Sequence, residues 1–217
     1  MTTHQVITNK EFDKRFNADL NEKLAIIILA AGSSSRLGQS KQLIKIDGQS
    51  LLERQCDLAL SVTKNVYCVL GCAAQIHQQV IGKKPVSIVV NEKWLQGMSH
   101  SLAAGVKALP DYIDGVMIVL VDQWQLNVDH IESLIEQRRK MPENIIVASS
   151  CCREKSKQGP PVIFPKKFFS QLIELTGEQG AKPILIKHPK SIQHIEMSDA
   201  FIDLDTPEQL TVLQASL

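Results

Sequence analysis

Two cations, Arg36 and Lys41, follow a run of small residues, Ala30-Ala31-Gly32-Ser33-Ser34-Ser35. Small side chains let backbone N–H groups come close to a ligand, and a loop of such donors forms a concavity for anions. Lys41 suits a phosphate as a point charge, while Arg36 can grip one with paired hydrogen bonds. The same residues would also serve a tight connection with solvated charges. The spacing is neither G-x-G-x-x-G nor G-x-x-x-x-G-K-[ST], which excludes the two commonest nucleotide motifs. Asp122 ends the apolar run Val119-Leu120-Val121, and Asp205 ends Phe201-Ile202-Asp203-Leu204. A carboxylate there stands at the rim where open α/β sheets bind ligands, and could hold Mg²⁺ against phosphate oxygens. Asp122 would equally suit a helix cap or a turn. With both carboxylates at one rim, the chemistry would be metal-assisted phosphoryl or nucleotidyl transfer.

These residues need a scaffold that brings loop ends together. Buried strands are expected at Leu24 to Leu29, Val66 to Leu70, Val86 to Val90, Val116 to Val121 and Ile145 to Ala148, with shorter ones at Val162 to Phe164, Ile192 to Ile195 and Phe201 to Asp205. Helical spacing falls between them, at Leu51 to Leu60, Ala73 to Ile81, Ser101 to Leu109 and His130 to Arg139, then near Lys166 to Leu175 and Ala181 to Lys187. Alternation of strand and helix predicts an α/β fold with a mostly parallel sheet covered on both faces. Thr206-Pro207 reads as an N-cap followed by proline at the first position of a terminal helix. Residues 1–23 form a polar N-terminal extension whose Phe12, Phe16 and Leu20 would line one side of a peripheral helix. Residues 24–217 are read as one domain.

Composition narrows the function. With 24 Lys+Arg against 23 Asp+Glu in 217 residues, no broad basic field exists for a nucleic acid, and charges interrupt every apolar run before it could span a bilayer. Aromatics are only 5% of the chain, which favours aliphatic strands under helices over an aromatic-rich β-sandwich. Five cysteines without paired C-x-x-C spacing, and no secretory segment, argue against a disulfide framework or structural zinc and place the chain in the cytoplasm. Adjacent Cys151 and Cys152 are read as free thiols. The six histidines show no ligand spacing.

The run Leu29 to Leu43 resembles the L-A-A-G-x-S-x-R-x-G-x-x-K-Q-L signature of the nucleotidyltransferase family related to molybdenum cofactor guanylyl- and cytidylyltransferases, part of a larger group of sugar-nucleotide pyrophosphorylases. The segment Val90 to Leu102, Val121-Asp122-Gln123, the stretch Gly159 to Phe164 and Asp203 to Glu208 match N-x-x-W-x-x-G-M-x-x-S-L, D-Q-P, G-x-P-V-x-F and D-I-D-T-P-E of the cytidylyltransferase-like branch, in order. The resemblance covers Leu24 to Leu213. It implies a Rossmann-like, three-layer nucleotidyltransferase fold with a mixed sheet, an Mg²⁺ cofactor and release of pyrophosphate from a nucleoside triphosphate.

Carried over by position, Leu29, Ala30, Ala31 and Gly32 would contact the nucleotide through backbone, with Arg36 and Lys41 on its phosphates. Asn91, Gly97 and Ser101 would lie near base and ribose, with His100 in the same loop. Asp122 and Asp205 would ligate the metal, and Arg36, Lys41 and Asp122 would be the catalytic groups. Ala31 and Ser40 resemble the CTP users, whereas GTP users commonly read L-A-G-G with Asp before the Lys. The implied reaction is CMP transfer from CTP to molybdopterin, with a molybdoenzyme or its chaperone as a further partner. Trp124 in place of Pro, and Pro160 where His is frequent, would border the acceptor pocket at the same rim, and leave room for another phosphorylated acceptor such as a sugar phosphate. A non-catalytic accessory protein is the alternative from a different class.

Overall fold

The computed structural model describes residues 22–151, 157–202, 204 and 206–215. Strand β1 (Leu24–Ala30) shows why the sheet must be covered twice: all seven of its residues are buried. Leu24, Ile26, Ile28 and Ala30 belong to one apolar cluster and Ala25, Ile27 and Leu29 to the other. Side chains alternate across a strand, so both faces of β1 are core.

The chain next forms a small hairpin, β2 (Lys45–Ile46) and β3 (Gln49–Ser50), turned by Asp47-Gly48 with both residues at positive φ. Then follow α1 (Leu51–Leu60), β4 (Val66–Leu70), α2 (Ala74–Ile81), β5 (Ser87–Val90), α3 (Met98–Lys107), β6 (Gly115–Leu120), α4 (Val128–Lys140), β7 (Ile146–Cys151), β8 (Lys157–Pro165), α5 (Phe169–Ile173), α6 (Lys182–Lys187), β9 (Ile192–Glu196) and α7 (Pro207–Ala215). The seven-stranded sheet runs β5-β4-β1-β6-β8-β7-β9. Every pair is parallel except those of β8, which runs against β6 and β7. Helices α1, α2, α4 and α7 contribute to the first cluster, and α3, α5 and α6 to the second, giving the expected three layers.

The chain leaves β1 toward β4 on one side and later returns to β6 on the other. Leu29 pairs with Leu120 and Ala30 with Leu70, so the loops after β1, β4 and β6 emerge at one level. Such a reversal of strand order opens a crevice at the carboxyl ends of the strands.

Three expectations change. Helix α3 starts at Met98 rather than Ser101, because Gly97 (φ +104°) breaks the preceding 3₁₀ turn Trp94–Gln96 and lets the helix begin at once. Strand β8 runs through Gly159-Pro160-Pro161 rather than starting after it. The β7–β8 register jumps from Ala148↔Val162 to Ser149↔Gly159 there, which sets the donor-less prolines in the irregularity. The strand expected over Phe201 to Asp205 is absent among the described residues. Phe201 closes a 3₁₀ helix, Ile202 is exposed and Leu204 buries singly in the core, so the run is used for packing and not for strand pairing.

The helix expected over 1–23 lies outside the described residues except for Glu22 and Lys23, as does Cys152. Cys56, Cys68 and Cys72 are free thiols. Among the described residues no helix is long and apolar enough to cross a membrane.

Candidate active site

An open cleft of about 420 Å³ lies at the strand reversal. The loop after β1 supplies Leu29, Ala30, Ala31, Gly32, Ser33 and Ser35 to its wall, and the start of α3 supplies Gly97, Met98 and Ser101. At its base Lys41 Nζ lies 2.6 Å from Asp122 Oδ2. These side chains are only 15% and 12% exposed, so their charges meet away from most of the solvent. A short, shielded ammonium–carboxylate pair is a strong one, and it sets a fixed cation beside a fixed carboxylate where a phosphate would enter.

Gln42 explains how the loop is shaped. Its side chain is 1% exposed and spends all four of its hydrogen bonds. Nε2 donates to the carbonyls of Ala30 (2.9 Å) and Gly32 (2.8 Å), while Oε1 accepts from Ser40 Oγ (2.8 Å) and Ser34 Oγ (3.3 Å). Cys72 N–H takes the carbonyl between them, that of Ala31, at 2.9 Å. Three successive acceptors are thereby committed inside the protein, leaving fewer carbonyl oxygens to repel an anion. Lys41 N–H donates to Ser34 Oγ at 3.1 Å, and buried Leu37 pins the far side of the loop.

Behind the loop stands His77 of α2, 1% exposed. Ser40 Oγ gives its hydrogen to Gln42 and therefore accepts from His77 Nε2 at 2.8 Å. Among the described residues His77 Nδ1 has no partner, and burial holds the imidazole below its ordinary pKa. The ring is thus neutral, with its hydrogen on Nε2. The unfolded chain takes up a proton near the ordinary value of 6.5 that the folded chain refuses, so this residue's linkage makes stability fall as pH drops below about 6.5. His77→Gln should flatten that part of the stability–pH curve, measured by urea unfolding between pH 8 and 5. For Gln42→Leu, the stranded partners should cost roughly 2–4 kcal/mol in the same measurement, and nucleotide affinity should fall with it.

The other expected residues divide. Asn91 is buried one layer behind the cleft, with Nδ2 3.0 Å from Ser101 Oγ and Oδ1 accepting from Lys93 N–H at 3.0 Å, so it orients Ser101 and the loop after β5. Arg36 is exposed on the loop, outside the cleft wall. His100 is also outside it, with Nδ1 against Gln96 O at 3.0 Å. Asp205 lies outside the described residues. Trp124, expected at the same rim, instead lines a separate groove on the α1–α4 side of the sheet.

Sequence reading missed Trp94 and Glu178, both in the cleft wall. Trp94 packs so closely on Gly71 that a Cβ there would sit 2.5 Å from the Trp94 Cβ and 2.8 Å from Ala31 O. The glycine directly after β4 was the available signal. Gln123 was quoted but given no role; it is 2% exposed, accepts from Leu120 N–H at 3.0 Å and donates to Pro160 O at 2.7 Å, which braces the turn that presents Asp122.

Known proteins are similar to this chain over most of its length. Residues 26–192 match the family described as the MobA-like NTP transferase domain. The purine catabolism protein PucB of Bacillus subtilis (strain 168) is 28% identical over 203 residues, covering 88% of this chain and 96% of that protein. A probable molybdenum cofactor guanylyltransferase of Nostoc sp. is 27% identical, with 88% and 90% covered. The molybdenum cofactor cytidylyltransferase of Escherichia coli K12 is 23% identical, with 84% and 91% covered. Among solved structures, a homologue of Mycobacterium tuberculosis Rv0371c from Mycobacterium sp. strain JC1 superposes with a TM-score of 0.76 at 25% identity, covering 89% of this chain and 96% of that one. With the family matched over the sheet and the cleft alike, this chain belongs to the MobA-like NTP transferases and is a nucleotidyltransferase.

Proposed function

We propose that the protein transfers CMP from CTP to molybdopterin with release of pyrophosphate. The observation that carries nucleotidyl transfer is the shielded Lys41–Asp122 pair beneath the small-residue loop at the strand reversal. Attack by an acceptor phosphate oxygen on the α-phosphorus brings two anions together, so the reaction needs neutralised charge and in-line placement and no protein nucleophile. Lys41 offers the positive charge from within the protein. The loop's N–H groups and Arg36 on the same loop would hold the triphosphate. Ser101, oriented by Asn91, supplies a hydroxyl at the sugar end.

Asp122 fits a divalent cation. One carboxylate oxygen bonds Lys41, the other carries no hydrogen bond among the described residues, and Mg²⁺ is commonly held by one or two carboxylates plus substrate phosphates. When bound there, Mg²⁺ supplies further neutralisation of the phosphates. Asp205 remains the proposed second ligand.

For the base, Ala31 and Ser40 support CTP. The Ser40 hydroxyl is turned inward to Gln42 and His77, so the position before Lys41 presents no acid, unlike the Asp usual in GTP users. The similar proteins include a cytidylyltransferase at 23% identity and a guanylyltransferase at 27%, so the choice of base rests on Ala31 and Ser40. For the acceptor, both departures from the family pattern lie outside the cleft wall: Trp124 lines its own groove, and the Pro160 carbonyl braces Gln123. The nucleotide side is therefore unaltered.

The decisive assay supplies Mg²⁺, each nucleoside triphosphate in turn and molybdopterin, and follows pyrophosphate. Release with CTP and molybdopterin together is expected. Release with CTP and only a sugar phosphate would change the acceptor, and CTP binding without turnover on any acceptor would make this an accessory protein.

A further inference from the structure

The turn that presents Asp122 to the cleft has a second side. There a groove of about 240 Å³ is lined by Trp124, Arg54, Gln55, Gln49, Leu126 and Asn127, and it shares no lining residue with the nucleotide cleft. It is below the roughly 300–1,000 Å³ of pockets that enclose a whole small molecule, so it suits one ring system of a larger ligand.

Its surface carries two groups suited to a ligand. Trp124 is half-buried against the core beneath it, offering a rigid aromatic surface. Arg54 is held only loosely, 3.8 Å from an Asp47 whose side chain is 76% exposed. Beneath them Gln55 is 3% exposed, and its Nε2 donates to Gln123 O at 2.8 Å, which fixes the floor of the groove. Together Trp124 and Arg54 match a planar heteroaromatic ring joined to an anionic group.

The groove is tied to the reaction centre. Trp124 N–H donates to Asp122 O at 2.9 Å, Leu126 N–H to Gln123 O at 3.1 Å, and Gln55 holds the same Gln123 carbonyl. Trp124 lies two residues after Asp122 in this turn, so the same short stretch of chain walls the groove on one side and the base of the cleft on the other. In-line displacement also requires the acceptor to enter opposite the departing pyrophosphate, on a side the triphosphate loop does not occupy.

We infer that this groove is the acceptor subsite, binding the planar heterocycle of a phosphorylated acceptor against Trp124 while its phosphate reaches over the turn to Asp122. The inference rests on the proposed transfer to molybdopterin and locates the pterin in that reaction. Stacking of a heterocycle on an aromatic side chain is commonly worth a 5- to 100-fold change in affinity, roughly, on removal of that side chain. Trp124→Ala should therefore raise KM for molybdopterin by about tenfold or more while KM for CTP stays within about twofold. Trp124→Phe should restore most of the loss, and Arg54→Gln should raise the acceptor KM by a smaller factor.

An unchanged acceptor KM in Trp124→Ala, or a CTP KM that rises in step with it, would overturn the subsite. Should the wild-type enzyme not turn over molybdopterin at all, the proposed function fails by itself. Calorimetry with a pterin monophosphate then decides the groove separately. Binding by wild type that is lost in Trp124→Ala supports it; no binding, or equal binding by the variant, overturns it.

Discussion

Asp122→Asn should fold like the wild type and lose turnover by about 10³-fold or more. The amide keeps the volume of the carboxylate and can still accept from Lys41, so the 2.6 Å contact survives in shape while its charge disappears. What is lost is the fixed negative charge that would hold a metal and set the ammonium. Removing one preorganised electrostatic group from a shielded site commonly costs about 3–4 kcal/mol of transition-state stabilisation, close to 10³-fold in rate. Lys41→Met should fall by a similar factor, and the double variant should be little worse than either, because groups that act as a unit are not additive. Thermal unfolding and circular dichroism of each variant separate loss of chemistry from loss of fold. Near-normal turnover by Asp122→Asn would remove Asp122 from the reaction centre.

The pairing also bears on the resting enzyme. With Lys41 and Asp122 neutralising each other, neither charge is stranded before substrate arrives. In the proposed reaction, a phosphate would pair with Lys41 and Asp122 would hold a cation, so each charge of the resting pair would keep a partner. The site is charged in both partners yet nearly neutral as a unit.

How far the chain could be read depended on whether a feature was local. The five expected parallel strands follow from continuous apolar runs, and β1, buried on both faces, shows that such a run reports two-sided burial. Asp122 was legible because it follows a strand end and Lys41 because it closes the small-residue loop after β1, where topology alone brings loops to one rim. Their mutual contact was not, since 81 residues separate them. Gln42 and His77 illustrate the same boundary: a buried glutamine looks like a surface residue until its four bonds are seen, and His77 meets Ser40 only after α2 packs behind the loop. Phe201 to Leu204 misled for a different reason. A short apolar run fits a strand, but here Phe201 closes a 3₁₀ helix and Leu204 packs singly into the core. Trp124 was misplaced by the width of one turn, since three consecutive residues point to two different faces.

Gly97→Ala should destabilise the protein by about 2–4 kcal/mol and reopen the cleft wall. Gly97 has φ +104° and ψ 170°, a region essentially reserved for glycine. Strain is only part of the cost. A Cβ there would sit 2.5 Å from the Gly177 carbonyl carbon and 3.0 Å from Glu178 Cδ, so one of two backbones must retreat. The same Gly177 carbonyl accepts from Ser99 N–H at 3.0 Å, and Ser99 Oγ donates to Gly180 O at 3.3 Å, which docks the loop carrying Glu178 onto the first turn of α3. Displacing it moves Met98 and Ser101 as well, so nucleotide affinity should drop along with stability. Gly32→Ala is the matched control: a Cβ at Gly32 meets nothing within 4 Å, and its unfolding free energy should stay within about 0.5 kcal/mol of wild type. Urea unfolding and CTP calorimetry on both variants give the comparison. Equal stability of the two would mean that the α3 start tolerates a side chain, and that the close approach of Gly97 to Gly177 is not what holds the far wall of the cleft in place.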